Sequence, residues 1–354
     1  MTEKTHAAQS PPAHAYESLT PDVVLDALAS VGLLGDGRLM ALSSYENRVY
    51  QVHLESPVGE DDLAGEVVVV KFYRPDRWTD AQIMEEHAFA AELMAAEIPV
   101  VGALSLQGST LNHFQGFSFS VSPSRGGRRP ELDNFEVLEW IGRFLARIHT
   151  VGSARPFALR PALDLQTFGY ASRDVLLGGG AHGAHGYIPL DMESRWRKAF
   201  EEAMLVAQTV FESVGEVRTL RLHGDCHPGN ILWTPEGLPL AGPHFVDLDD
   251  ARSGPAVQDL WMLLSGDRAQ CTRQLGALVD GYEEFREFPR AELALIEPLR
   301  TLRLVHYSAW LAQRWHDPIF PINFPWFGSS DYWKGQVDML EEQTEAMQGA
   351  ALVA

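Results

Sequence analysis

The spacing of apolar positions changes once along the chain, and the change divides it. Early on, RVYQVHL (48–54) alternates imperfectly through Val49, Val52 and Leu54, while EVVVVKFY (66–73) is a β-branched run of the kind buried on both faces of a sheet. The polar, Gly-containing ESPVGEDDLAG between them predicts an antiparallel pair. Ahead of these strands, Thr20 as a cap and Pro21 in the first turn predict a helix through Ala29. Behind them, Thr79 with Gln82 reads as a capping box before IMEEHAFAAELMAAE, a helix that stops at Ile98 and Pro99. Two further strand candidates, VVGALSL and FSFSV, complete a small sheet with one inserted helix over the first 122 residues.

From Asp133 the spacing turns helical. Leu138, Ile141, Leu145 and Ile148 fall on one stripe, and Trp196, Phe200 and Met204 begin another. LLGGGAHGAHG (177–186) interrupts as a low-complexity loop, in which His182 and His185 read as bystanders. NILW (230–233) and HFVDL (244–248) flank TPEGLPLAGP and predict a hairpin with acids at its end. Pro255 opens a further helix carrying Val257, Leu260, Trp261 and Leu264, followed by helices near 268–286, 291–315 and 331–347. No internal repeat is visible. The expected organisation is a disordered tail (1–19), an N-terminal lobe (20–122) that binds nucleotide, and a mainly helical catalytic lobe (123–354).

Charge narrows the partners. Twenty-eight Lys and Arg against 48 Asp and Glu give a net charge of −20, which disfavours nucleic acid, whose phosphates need clustered positive charge. Two cysteines, Cys226 and Cys271, are too few for a disulfide framework and suit a reducing compartment. No apolar stretch approaches the roughly 20 residues that cross a bilayer, and the polar MTEKTHAAQSPPAHA has no apolar core of a secretory signal. A cytoplasmic monomer is the expectation.

The chemistry concentrates in RLHGDCHPGNILW (221–233). A zinc site is a poor reading, because Cys226 and His227 are adjacent and no second pair is spaced to complete a tetrahedron. Nothing marks an orienting group for a Cys226 nucleophile. The spacing His223-x-Asp225-x-x-x-x-Asn230 instead matches the catalytic loop of kinases, where the Asp accepts the hydroxyl proton and the Asn binds magnesium. Gly224 stands where kinases carry Arg. Downstream, Asp247 in FVDLD occupies the place of the metal-binding acid. Magnesium prefers oxygen ligands from one or two carboxylates plus phosphates, which Asn230 and Asp247 supply. Lys71 closes the VVVV strand as the kinase strand lysine does, and the next helix offers Glu85 or Glu86 as its partner. No GxGxxG precedes the strand pair, so a phosphate cradle must come from backbone N–H groups in the Ser43–Asn47 turn. That departure argues against an ordinary eukaryotic-type protein kinase. Asp249 is open between a metal ligand and a solvated turn. Asp259 reads as a brace for the catalytic loop, and His223 as structural.

With HGDCHPGNILW, FVDLDDARSGPAVQDLWMLL, SYENRVYQV, VVKFYRPDRW and RWHDPIFPINFPW, the sequence resembles the stress response kinase A (YihE) family over about residues 20–345. This is a branch of the aminoglycoside phosphotransferase and choline kinase superfamily. The resemblance implies an α+β, two-lobed protein-kinase-like fold and ATP- and magnesium-dependent phosphorylation of protein Ser/Thr, in surviving oxidative and envelope stress. It makes Asp225 the proton acceptor and Asn230 and Asp247 the metal ligands. It makes Ser44 an ATP contact and Lys71 the phosphate-binding lysine, with Glu86 as the better partner for Lys71, and puts the adenine hinge near Val121, Ser122 and Pro123. Two alternatives stand beside it: a small-molecule phosphotransferase of aminoglycoside or choline type on the same fold, and a nucleotide-binding scaffold without catalysis. The aromatic segment 315–327 reads as packing or a covering loop more than as a wall of the substrate cleft.

Overall fold

The computed structural model describes residues 15–58, 65–178 and 186–354, and the chain divides into two compact units. The first runs through Asp80 and adds Leu104–Ser124 and His316–Asn323; the second comprises Ala81–Ala103, Arg125–Trp315 and Phe324–Ala354. The readings made for residues 1–14, for the middle of the 55–65 connection and for His182 and His185 lie outside the described residues.

In the first unit, helix α1 (Pro21–Ser30) starts where the cap signal put it, with the Thr20 side chain accepting from Val23 N at 3.3 Å. Order begins ahead of Thr20, because Tyr16 is buried, stacks on Phe117 at 6.3 Å and donates to the Phe72 carbonyl at 3.3 Å. Five antiparallel strands follow: β1 (Gly35–Leu42), β2 (Arg48–Leu54), β3 (Val67–Phe72), β4 (Asn112–Phe114) and β5 (Phe117–Pro123), in the order β1-β2-β3-β5-β4. The β2–β3 pair has Val49 opposite Lys71 and Val52 opposite Val68. Phe72, Phe119, Val70 and Val121 form the dry centre of the core together with Val24 and Leu28 of α1.

Two strands of this unit have no counterpart in the sequence reading. β1 carries two glycines and mostly exposed side chains, so its backbone pairing at the sheet edge leaves no alternation to read. β4 is only three residues long. Conversely, VVGALSL is not a strand; it makes single bonds, Val101 N to Phe245 O at 3.0 Å and Leu104 N to Val121 O at 2.7 Å. Its apolar side chains are buried against different elements instead of in one ladder.

A buried ion cluster fastens the Ser43–Asn47 turn. Arg74 donates to the Tyr45 carbonyl (3.1 Å), the Glu46 carbonyl (3.0 Å) and the Asp317 carboxylate (2.9 Å), while its own N–H reaches Asn47 Oδ1 at 3.1 Å. Asp317 also lies 3.5 Å from Arg48. The segment around Asp317 and the fully buried Phe320 therefore packs and clips, as the covering-loop reading of 315–327 expected.

The second unit is mainly helical. Helix α2 (Asp80–Ala95) contributes most of its length here, and its Gln82 side chain donates to the Leu159 carbonyl at 3.0 Å. Glu92 on α2 accepts from Arg221 at 2.7 Å and pairs with Arg155. Helix α3 (Phe135–Gly152), capped by the Asn134 side chain, precedes α4 (Ala171–Leu176) and α5 (Leu190–Val214). Strands β6 (Leu220–Leu222) and β9 (Arg252–Gly254) pair antiparallel, as do β7 (Ile231–Thr234) and β8 (Gly242–Phe245), the expected hairpin. Helices α6 (Gln258–Trp261), α7 (Arg268–Glu283), α8 (Ile296–Arg314) and α9 (Ser330–Gln348) follow. Helices α3 and α7 approach closely enough that a Cβ on Gly142 would sit 2.1 Å from the Leu278 carbonyl oxygen.

Candidate active site

β6 ends in a turn that cannot carry a side chain at its centre. Gly224 has φ +85°, and a Cβ there would lie 2.2 Å from the Asp250 carbonyl oxygen, so the arginine of the kinase pattern has no room. The turn is held from outside. Asp259 on α6, wholly buried, accepts from His223 N and Gly224 N at 2.9 Å each and from His149 Nε2 at 3.1 Å. His149 Nδ1 in turn lies 3.0 Å from the Tyr282 hydroxyl. Burial pushes the Asp259 carboxyl up, but the His149 hydrogen bond, the His149 and His223 charges and the Gly224 N–H outweigh it, leaving the group below its ordinary range. Gln258 adds a bond to the Gly224 carbonyl at 3.1 Å.

Within the loop, the Asp225 carbonyl accepts from His227 N (2.9 Å) and from Asn230 Nδ2 (3.0 Å). That second bond commits the amide nitrogen of Asn230 and leaves its oxygen as the atom that could ligate a cation. Val246 is pinned on both sides: its N–H donates to the Asn230 carbonyl at 3.0 Å, and its carbonyl accepts from His223 Nε2 at 2.9 Å. Asp247 follows directly, with φ +61° and ψ +62°, a left-handed conformation that costs a non-glycine residue roughly 1–2 kcal/mol. The β7–β8 hairpin thus delivers Asp247 to the same corner as Asp225 and Asn230. His223, fully buried, is structural, as expected.

Asp225 is not alone. Its Oδ1 lies 2.8 Å from Arg303 on α8, and its Oδ2 lies 3.5 Å from His227 Nε2. Burial and the Arg303 charge outweigh the acids near His227 and hold it below its usual range. Cys226 is fully buried, and burial first, with the Asp259 and Asp225 charges, pushes its thiol well above the ordinary value, which disfavours a thiolate. Among the described residues no group of three or more His, Cys, Asp or Glu is placed to cage a metal.

The remaining expected residues divide between the units. In the first, Lys71 on β3 faces Ser120 of β5 in register, and its ammonium lies 5.7 Å from the Tyr73 ring centroid. Ser44 is half-buried in the fastened turn. Val121, Ser122 and Pro123 lie within β5 itself, opposite Val70, Val69 and Val68, and the Val121 side chain is fully buried. In the second unit, Glu85 accepts from Ala158, Leu159 and Arg160 N–H groups at 2.5, 3.0 and 3.0 Å, so it anchors that loop. Its neighbour Glu86 is buried on α2.

Arg303, His149 and Tyr282 had no place in the sequence reading. His149 follows Ile148 on the apolar stripe of α3, so a histidine in a core position was the available signal for a buried partner. Arg303 sits 78 residues beyond Asp225 in a helix whose spacing gives no hint of it.

Comparison with known proteins bears on this site. Residues 39–295 match the family described as "APH: Phosphotransferase enzyme family". Over 336 residues the chain is 46% identical to stress response kinase A of Escherichia coli strain K12, covering 95% of this chain and 96% of that one. It is 44% identical over 335 residues to the serine/threonine protein kinase RdoA of Salmonella typhimurium, at 95% coverage of both. Among solved structures, amicoumacin kinase in complex with AMP-PNP, Ca2+ and its ligand superposes with a TM-score of 0.66 at 17% identity, over 92% of this chain and 93% of that chain. Spectinomycin phosphotransferase in complex with ADP and its ligand gives 0.61 at 12% identity, covering 92% and 97%. These likenesses show the α+β, kinase-like fold.

Proposed function

The chain belongs to the phosphotransferase enzyme family and, within it, to the stress response kinase A family, so it is a kinase; from that premise we propose that it is an ATP- and magnesium-dependent serine/threonine protein kinase acting in the stress response. The observation that carries this reading is the doubly pinned Val246 peptide, which ties the His223–Asn230 loop to Asp247. Protein as the acceptor rests on relatives of 44–46% identity that are named as kinases of that kind or of stress response.

Asp225 takes the proton of the acceptor hydroxyl. The acceptor oxygen forms its bond to the γ-phosphorus as the bond from that phosphorus to the bridging oxygen breaks, and ADP leaves. A serine hydroxyl is a weak acid, so Asp225 orients it and receives the proton late in attack. Asn230 Oδ1 and the Asp247 carboxylate would hold magnesium. One carboxylate and one amide oxygen fit an ion that completes its shell with phosphates and water, and that donor set does not resemble an all-protein cage. When bound, the ion neutralises charge on the phosphates. Lys71 steadies the α- and β-phosphates, the Ser44 turn offers N–H groups, and Val121–Pro123 border the adenine. Among the described residues no helix is long and apolar enough to cross a membrane, and the reading includes a cytoplasmic monomer.

Incubating wild type and Asp225→Asn with labelled ATP, magnesium and protein acceptors tests this. Loss of a general base costs about 10²–10⁴-fold, so labelling by the variant should fall at least about a hundredfold. Equal labelling by both removes Asp225 from the mechanism. Turnover of amino alcohols or aminoglycosides far above that of proteins overturns the protein acceptor.

A further inference from the structure

A cleft of about 410 Å³ opens beside Asp225, lined by Arg129, Arg303, His227, Trp261 and Met262, all within the second unit. No Asp or Glu lines it. In a chain of net charge −20, two arginines without an acidic lining are a local reversal of sign. Arg303 joins the cleft to the chemistry, since the same guanidinium lies 2.8 Å from Asp225 Oδ1 while its side chain stays 40% exposed. Arg129 comes from SRGGRRP, and its guanidinium lies over the loop, where a Cβ on Gly229 would be 3.8 Å from its Nη2.

The neighbouring arginines are spent elsewhere. Arg128 pairs with Glu131 at 3.1 Å, and Arg300 pairs with Glu297 at 2.9 Å while lying 5.6 Å from the Trp261 centroid. Arg129 has no ion pair among the described residues. An exposed arginine with no acid to answer it, facing a second arginine across a cleft beside Asp225, is built to meet an anion. Guanidinium groups present five donors in a planar fork that matches carboxylate or phosphate, so Arg303 can serve Asp225 and an incoming anion together.

We propose that this cleft selects the acceptor: a Ser/Thr flanked within a few residues by an anionic side chain, a carboxylate or a phosphate, which seats between Arg129 and Arg303 against Trp261. The proposal rests on the kinase reading above and specifies its substrate. Cationic acceptors, such as aminoglycosides and choline, would bring positive charge into the same cleft and are disfavoured by like-charge repulsion.

Matched peptides carrying one Ser flanked by Glu, phosphoserine (blocked as an acceptor by its own phosphate), Gln or Lys test it with wild type, Arg129→Gln and Arg129→Glu. For wild type, the Glu or phosphoserine peptides should exceed the Gln peptide about tenfold in kcat/KM, chiefly through KM, with the Lys peptide last. The better of the two anionic peptides identifies which anion the cleft takes. Arg129→Gln should remove about fivefold of that preference, and Arg129→Glu should shift it toward the Lys peptide. Raising salt should compress the differences. Because Arg129 is exposed and unpaired, the melting temperatures of both variants should match wild type, which separates lost recognition from lost folding.

Wild-type labelling of the Gln or Lys peptide equal to or above the anionic ones overturns the cleft's role and leaves the protein-kinase reading standing. So does an unchanged preference in Arg129→Glu. If no peptide or protein is labelled while a small molecule is turned over, the protein-kinase reading falls, and this inference falls with it.

Discussion

Asp259→Ala is the most revealing single perturbation, because Asp259 touches no reacting atom and yet holds the loop that carries Asp225. Its carboxylate takes three donors, His223 N and Gly224 N at 2.9 Å and His149 Nε2 at 3.1 Å, in a site with no solvent access. Truncation orphans all three. Each buried donor left unmade costs roughly 1–3 kcal/mol, so the sum runs from about 3 to 9 kcal/mol before relaxation. A water admitted to the vacated space, with three donors to greet it, recovers part, and about 4 kcal/mol is the expected loss. Against a whole-protein stability of roughly 5–15 kcal/mol, that is a large fraction. Asp259→Asn keeps one acceptor oxygen but turns an NH₂ toward a donor, so about 2 kcal/mol is expected.

Urea denaturation of wild type and both variants measures the loss, and phosphoryl transfer at a temperature where each is folded measures the rate. pH supplies a further check whose sign is fixed. The folded Asp259 carboxyl lies below its ordinary value of 3.8. A depressed acid contributes stability that is fully present above its unfolded pKa and is lost as pH falls through the folded one. The gap between wild type and Asp259→Ala should therefore be constant from about pH 5 upward and narrow below about pH 4. A variant within about 1 kcal/mol of wild type that keeps the full transfer rate would refute the bracing role.

Three further changes follow from single contacts. Gly224→Ala places a Cβ 2.2 Å from the Asp250 carbonyl at φ +85°, and should cost about 3 kcal/mol or more and most of the transfer rate, read by thermal unfolding and labelling. Asp317→Ala takes a buried acid from Arg48 and one of two from Arg74, which keeps Glu46 at 3.0 Å, and should cost about 3 kcal/mol in denaturant, with faster amide exchange across residues 43–47. Glu292 is raised to about 7, first by burial, although it accepts from Val257 N at 3.1 Å. The folded state therefore holds its proton more tightly than the unfolded chain, and stability should decline as pH rises from about 4.5 to about 7 and then level off. Glu292→Gln should flatten that decline and be the more stable protein at pH 8 by up to about 3 kcal/mol, checked by urea melts across pH.

How far the sequence could be read follows from what its signals are made of. α1 was legible because a cap and a first-turn proline are local, and β2, β3 and the β7–β8 hairpin because their apolar runs are bounded by turn residues. β1 was not, since its order comes from backbone pairing at an edge, its first half is glycine and charged residues, and its apolar half LMAL shows no alternation. VVGALSL misled for the opposite reason: apolar content records burial, and burial does not require a ladder. At the site, the five-residue spacing of Asp225 and Asn230 was legible, because both sit in one loop and bond directly. Arg303 and His149 were not, because they arrive from helices far along the chain and only tertiary packing makes them neighbours.

That division explains the place where the kinase pattern is broken within the catalytic loop. The arginine usually found between the histidine and the aspartate is absent because the Asp250 carbonyl occupies its space, and a loop shaped by glycine cannot support itself. Support is imported. Asp259 takes the two N–H groups at the turn, Gln258 takes the Gly224 carbonyl, and His223 reaches forward to Val246. A positive charge comes instead from α8, where Arg303 faces the Asp225 carboxylate and lines the cleft proposed to take the acceptor. On that proposal, the same guanidinium couples the proposed base to whatever the cleft admits. If the charge of Arg303 served only the loop, Arg129 across the cleft would have no reason to be left without an acid.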